Sequence, residues 1–222
     1  MKRYRWLKTQ WPVSMRVLAR RLRVKAFDGQ QVDGFVLDRV RDDFLEARFV
    51  EKIEYDDTVT DPFGAEARFH RVEYRSFEFR AAVAGPGLEL VNAPRGIQTL
   101  ISRLAEANDF ALTISPLSVN VLNWASEAQR RLNETGVVDS LQLGAVELAS
   151  NVQAKAVIRG SVDVLAAAQA LVQGRKHVVE KVQIRFMRPK RVTVMLTNSG
   201  AARFDEEPSE DLLSIVRASL PL

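Results

Sequence analysis

The chain has 222 residues, with 32 Lys or Arg against 28 Asp or Glu, a formal net charge of +4, 46% hydrophobic residues and no cysteine. That composition is globular, and the length suits one large domain or two of about 100 residues. Disulfides, thiolate metal sites and a cysteine nucleophile are excluded. No apolar run approaches the roughly 20 residues of a membrane helix and no secretory h-region is seen, so a cytoplasmic protein is expected.

Taken in chain order, Tyr4–Thr9 reads as a strand, followed by a helix over 12–25 with Pro12 in its first turn and Val13, Val17, Leu18 and Leu22 on its apolar side. Two strands follow, GFVLDRVR and FLEARFVEKI, joined at Asp42–Asp43. The acidic segment DDTVTDPFGAEA (56–67) reads as turn-rich. A strand over 70–80, a GPG turn at 85–87, a further strand and a helix lined by Ile97, Leu100, Ile101 and Leu104 complete the first half. The second half starts with a strand at Phe110–Ser115 and an amphipathic helix over 117–132, with Trp124 at the border of its apolar face. Strands LQLGAVEL and NVQAKAVIR then flank a turn at Ser150–Asn151, and VDVLAAAQALV (162–172) forms a helix. A strand over 177–187, a turn at RPK (188–190), a strand over 191–197 and a helix lined by Leu212, Leu213, Val216 and Leu220 end the chain.

These halves echo each other. LEARFVEK (45–52) matches VQAKAVIR (152–159), and HRVEYRSFEF (70–79) matches HVVEKVQIRF (177–186), both 107 residues apart. TQWPVSMRVL (9–18) and TISPLSVNVL (113–122) match at an offset of 104. Three collinear matches point to an internal duplication of a unit of about 105 residues, with α+β repeats over 1–107 and 108–222. The order β-α-β-β-α-β-β-α of the second repeat is similar to a ferredoxin-like core with an extra strand. The order β-α-β-β-β-β-α of the first resembles one half of a TATA-binding-protein saddle. Either implies an antiparallel sheet with helices on one face and the other face open.

Charge is unevenly spread. Residues 1–25 hold nine bases and no acid, residues 28–66 twelve acids against four bases, and residues 155–203 ten bases against Asp163 and Glu180. Strand alternation places Lys155, Arg159, Lys181, Arg185 and Arg191 on one outward face with no acid among them. Arg48 and Lys52 are their counterparts in the first repeat, and Arg16, Arg20 and Arg23 form a stripe on the first helix. Unmixed positive charge suits contact with a phosphate backbone. Three readings follow: a non-enzymatic nucleic-acid-binding protein, a protein-interaction subunit of a larger assembly, and a ribonuclease dependent on His70 or His177. The acids Asp56, Asp57 and Asp61 invite comparison with a hard-cation site but equally suit a turn. No phosphate-loop, dinucleotide, nucleophile-elbow or zinc-protease motif occurs, and no cofactor or metal is expected.

Overall fold

In a computed structural model that describes residues 1–187 and 190–221, eleven strands and five helices make an α+β protein. Every strand pair with a defined register runs antiparallel. The chain divides into two compact units: an N-terminal unit, Thr9–Ile114, and a C-terminal unit, Met1–Lys8 with Ser115–Leu222. Strand β1 (Lys2–Gln10) therefore starts in the C-terminal unit and ends in the N-terminal one. The turn expected at 188–190 falls largely on Arg188 and Pro189, outside the described residues.

In the N-terminal unit, helix α1 (Met15–Val24) starts at Ser14, whose hydroxyl accepts from the Val17 amide. Pro12 lies ahead of the cap, so the helix starts later than the sequence suggests. Its buried row is Met15, Leu18, Ala19 and Leu22, an i, i+3, i+4, i+7 stripe. The sheet runs β2 (Asp33–Val40), β3 (Phe44–Thr60), β4 (Glu66–Ala82), β5 (Gly87–Val91), with helix α2 (Gln98–Ala107) following. Phe35 packs against Phe49 and Phe79, and Phe49 against Phe77, with ring centroids 5.3–6.0 Å apart. The end of β1 meets β5 where the Thr9 amide donates to the Pro86 carbonyl at 2.7 Å. Gly87 makes that approach possible, because it holds φ +93° and a Cβ there would strike the Thr9 carbonyl.

Strands β3 and β4 are 17 residues each and pair from Phe44↔Ala82 to Thr60↔Glu66. β2 accompanies β3 only as far as Glu51, and β5 accompanies β4 only from Glu78. The outer half is therefore a two-stranded ribbon, exposed on both faces. DDTVTDPFGAEA is mostly strand, with the turn confined to 61–65. The sequence reading mistook the local excess of acid for a loop. Across the ribbon, Asp57 pairs with Arg71 at 3.0 Å, so the partner strand supplies its compensating charge, and Asp56 lies 3.1 Å from His70 Nδ1.

In the C-terminal unit the sheet order is β1, β11 (Ala201–Phe204), β10 (Val192–Thr197), β9 (Val178–Phe186), β7 (Val137–Ala149), β8 (Val152–Arg159), with β6 (Thr113–Pro116) also beside β1. Helix α3 (Val121–Leu132) is capped by Asn120, which accepts from the Leu122 and Asn123 amides, and ends at Asn133 in the left-handed region. Asp163, one residue ahead of the N-cap Val164, accepts from the Leu165 amide at 2.9 Å at the start of α4 (Leu165–Val172), and Ser209 caps α5 (Glu210–Ala218). Trp124 is fully buried rather than at a surface border: its ring meets Trp6 edge-on at 5.6 Å and its Nε1 donates to the Val216 carbonyl at 2.9 Å. One residue thus ties α3 to both β1 and α5.

A candidate nucleic-acid interface

The open face of the C-terminal unit is built by alternation. Val182, Ile184 and Phe186 of β9 and Val194 and Leu196 of β10 are buried. That turns Lys181, Gln183 and Arg185 and, on β10, Thr193, Met195 and Thr197 to the other side. On β8 the exposed row is Gln153, Lys155, Val157 and Arg159. Arg191 enters β10 and is exposed. Cross-strand register runs Arg203↔Met195↔Gln183↔Ser140↔Arg159, so one line across the face joins β11 to β8. Parallel to it runs Ala201↔Thr197↔Lys181↔Gln142↔Val157.

Two acids interrupt this face, contrary to the alternation pattern. In the pairing of β7 with β9, Gln142 faces Lys181 and Leu143 faces Val179, leaving Glu180 as the extra residue of a bulge. Likewise Val138 faces Ile184 and Ser140 faces Gln183, leaving Asp139 unopposed. Each bulge puts a carboxylate among the bases. Glu180 pairs with Lys155 at 2.7 Å and accepts from Gln142; these bonds, Lys155 first, hold its carboxyl below the usual glutamate range. Asp139 lies 3.5 Å from Arg185 and accepts from Gln183 at 2.9 Å. Lys155 and Arg185 are thereby part-neutralised. Among the described residues, Arg159, Lys181 and Arg191 have no ion pair.

The same face holds bases that the sequence reading passed over. Arg3 and Arg5 alternate with buried Tyr4 and Trp6 on β1, and Arg203 sits on β11 opposite Arg3. Among the described residues neither Arg5 nor Arg203 has an ion pair, and Arg203 Nε donates to the Met1 thioether. Alternation in KRYRW carried the signal for Arg3 and Arg5. What placed them here is the pairing of β1 with β11 across about 200 residues of sequence, which no local pattern announces.

The first-repeat counterparts behave differently. Arg48 makes hydrogen bonds to Asp38, the shortest 3.1 Å, Lys52 pairs with Glu54, and Arg16 pairs with Asp42. Val50, which alternates onto the same side as Arg48 and Lys52, is buried, so that side of β3 is not fully open. Arg20 and Arg23 on α1 are exposed and have no ion pair among the described residues. Among the described residues, Arg48, Lys52 and Arg16 are thus each held by a carboxylate, whereas Arg159, Lys181 and Arg191 have no ion pair.

His70 lies on the exposed ribbon against Asp56. His177 Nδ1 donates to the Arg175 carbonyl at 2.9 Å, and its ring lines a groove of about 350 Å³ whose other walls include Leu122, Leu141, Leu165 and Val179. Asp61 accepts from the Phe63 and Ala65 amides, so it shapes the ribbon turn. Among the described residues no group of three or more His, Asp or Glu converges to hold a metal ion. No described helix is long and apolar enough to cross a membrane. No family model and no curated protein sequence matches this chain.

Proposed function

We propose that the protein is a non-enzymatic nucleic-acid-binding protein that docks phosphates on the open sheet face of its C-terminal unit. The observation that carries this reading is the set Arg5, Arg159, Lys181, Arg191 and Arg203, spread over one face without an ion pair among the described residues. A protein that neutralises several phosphates releases counterions, so its affinity falls steeply with salt. The polar side chains between the bases, Thr193, Thr197, Gln183 and Gln142, suit hydrogen bonds to phosphate and sugar. We further infer that the two halves of the chain, 1–107 and 108–222, derive from one duplicated module. The three collinear sequence matches support this, as does the element order β-α-β-β that opens both halves.

The test is equilibrium binding to labelled oligonucleotides at two salt concentrations. Alanine at Arg159, Lys181 or Arg203 is expected to lower affinity for every sequence and to reduce the log–log salt slope by about one each. Arg16→Ala, which removes a base already held by Asp42, is expected to leave the slope nearly unchanged. No binding to any oligonucleotide at low salt would refute the reading.

A second reading, a protein-interaction subunit of a larger assembly, draws on the ribbon. Tyr55, Val59 and Phe69 lie on one face of it and are each about half exposed, while Phe63 at the turn is 94% exposed. Among the described residues, no further strand pairs with the ribbon edges beyond Lys52 and Glu78. Co-purification of a stoichiometric protein partner, lost when residues 54–72 are deleted, would favour this reading.

A further inference from the structure

We infer that the open face of the C-terminal unit takes double-stranded rather than single-stranded nucleic acid. This rests on the nucleic-acid reading and names the ligand class of the same face.

The unit contains five aromatic residues, Tyr4, Trp6, Trp124, Phe186 and Phe204, and all five are buried in its core. None reaches the open face. Proteins that hold single strands on a sheet place aromatic rings beneath successive bases, each stacked base contributing about 1–3 kcal/mol. Here the outward positions hold Arg, Lys, Thr, Gln, Met and Val. Such a face serves phosphates and sugars but gives unpaired bases no ring to lie on. A duplex, whose bases are already stacked on one another, loses nothing by that absence.

The spacing of the bases points the same way. Arg203 on β11 and Lys181 on β9 flank β10, whose outward side chains Thr193, Met195 and Thr197 are uncharged. Arg159 on β8 lies two strands beyond β9, past Ser140 and Gln142. With neighbouring strands about 4.8 Å apart, Arg203, Lys181 and Arg159 lie on lanes roughly 10 Å apart, with Arg3 and Arg5 of β1 widening the lane at β11 and Arg191 standing at the start of β10. A single strand offers one phosphate row and engages one lane at a time. A duplex offers two rows across grooves of about 6 and 12 Å and engages neighbouring lanes together. Backbone contact of this kind is shared by duplex DNA and duplex RNA, and it carries no sequence preference.

The experiment compares the full chain's affinity for a duplex DNA of about 20 base pairs, the matching duplex RNA and each separated strand, at roughly 50 and 200 mM salt. At least one duplex is expected to bind about tenfold or more tighter than its own strands, the difference that one or two missing stacks would make. Which duplex does so identifies the source. The double substitution of Arg203 and Lys181 by alanine is expected to weaken duplex binding more than single-strand binding, because it removes charge from two lanes at once. Separated strands that bind as tightly as both duplexes, or tighter, would overturn the inference while leaving nucleic-acid binding intact. Absence of binding to all of them would instead overturn the parent reading.

Discussion

Lys155 and Glu180 form their 2.7 Å ion pair across the full width of β7, the strand that separates β8 from β9. The bulge at Glu180 is what makes the reach possible, since strict alternation would turn that carboxylate toward the core. A Cβ at Gly144 would collide with the Glu180 side chain, so the smallest residue stands where the carboxylate must lie. The pair sits on the face proposed to bind phosphate, where Glu180 acts as a built-in competitor for Lys155.

Glu180→Gln is therefore expected to strengthen nucleic-acid binding and steepen its log–log salt slope by up to about one, as Lys155 becomes available. Lys155→Ala in the native background is expected to change the slope far less than Lys181→Ala. Salt titrations by fluorescence anisotropy on the three variants check both. Equal slopes for Lys155→Ala and Lys181→Ala would show that the ion pair does not hold Lys155 back.

Trp124→Phe keeps most of the buried ring but removes the donor to the Val216 carbonyl. Leaving that buried acceptor without its partner is expected to cost about 1–3 kcal/mol. Trp124→Ala, which also opens a cavity beside Trp6, is expected to cost about 3–5 kcal/mol. Urea unfolding of the full native chain and of the two variants, followed by circular dichroism, gives the comparison.

Acid sensitivity is expected on α3. Hydrogen bonds from Arg130 and Arg131 push the Glu127 carboxyl from its ordinary value of 4.5 down to about 2. Because the folded-state value is the lower one, the stabilisation is complete above the ordinary glutamate range and is lost as pH falls toward about 2. Glu127→Gln should unfold less steeply with acid over that window than the native chain, while being the less stable of the two near neutrality. Circular dichroism against pH reads out both. The pair is largely solvent-facing, so the effect is small beside that of Trp124.

Gly87→Ala and Gly64→Ala separate two costs of losing a glycine. Both residues have positive φ, +93° and +87°, and each substitution carries a conformational penalty of roughly 1–2 kcal/mol. Gly64, at the ribbon turn, has open space where the methyl would go, whereas at Gly87 the methyl meets the Thr9 carbonyl. Gly87→Ala is expected to destabilise the N-terminal unit clearly more than Gly64→Ala, and to weaken the Trp11 hydrogen bond to the Gly87 carbonyl, now 2.9 Å. Similar midpoints for the two variants in thermal unfolding would contradict this.

Much of the architecture was legible in the sequence. The α+β class, the strand-turn-strand at Asp42–Asp43 and the alternation of β9 follow from residue periodicity, because Val182, Ile184 and Phe186 had one apolar side to go to. The capping side chains of α1, α3 and α5 are also visible in retrospect as Ser14, Asn120 and Ser209. The misses share a cause: each depends on something distant in the chain. A bulge breaks the period of two, and nothing in VVEKVQ marks Glu180 as the extra residue. The four-residue β11 is too short to declare itself, yet it carries Arg203 and joins β1 to β10. The ribbon strands look like loops because their charges balance only across the pair, Asp57 against Arg71. Trp124 appeared half-exposed because Trp6 and Val216, which cover it, lie 118 and 92 residues away in the chain.

The outer ribbon draws no support from a hydrophobic interior. Its cohesion comes from its own ladder and from side chains facing one another across it, so protection of its amide hydrogens should decay outward from Phe49 and Phe77, which the aromatic cluster anchors, to Gly64 at the tip. Changes at this tip that keep Gly64 and the Asp61 turn touch no buried residue, so lengthening it, recharging it or changing its aromatic residues is expected to cost folding little. The residues between Glu54 and Val72 are where close homologues should diverge fastest in length and charge, if recognition by the ribbon differs from one lineage to the next.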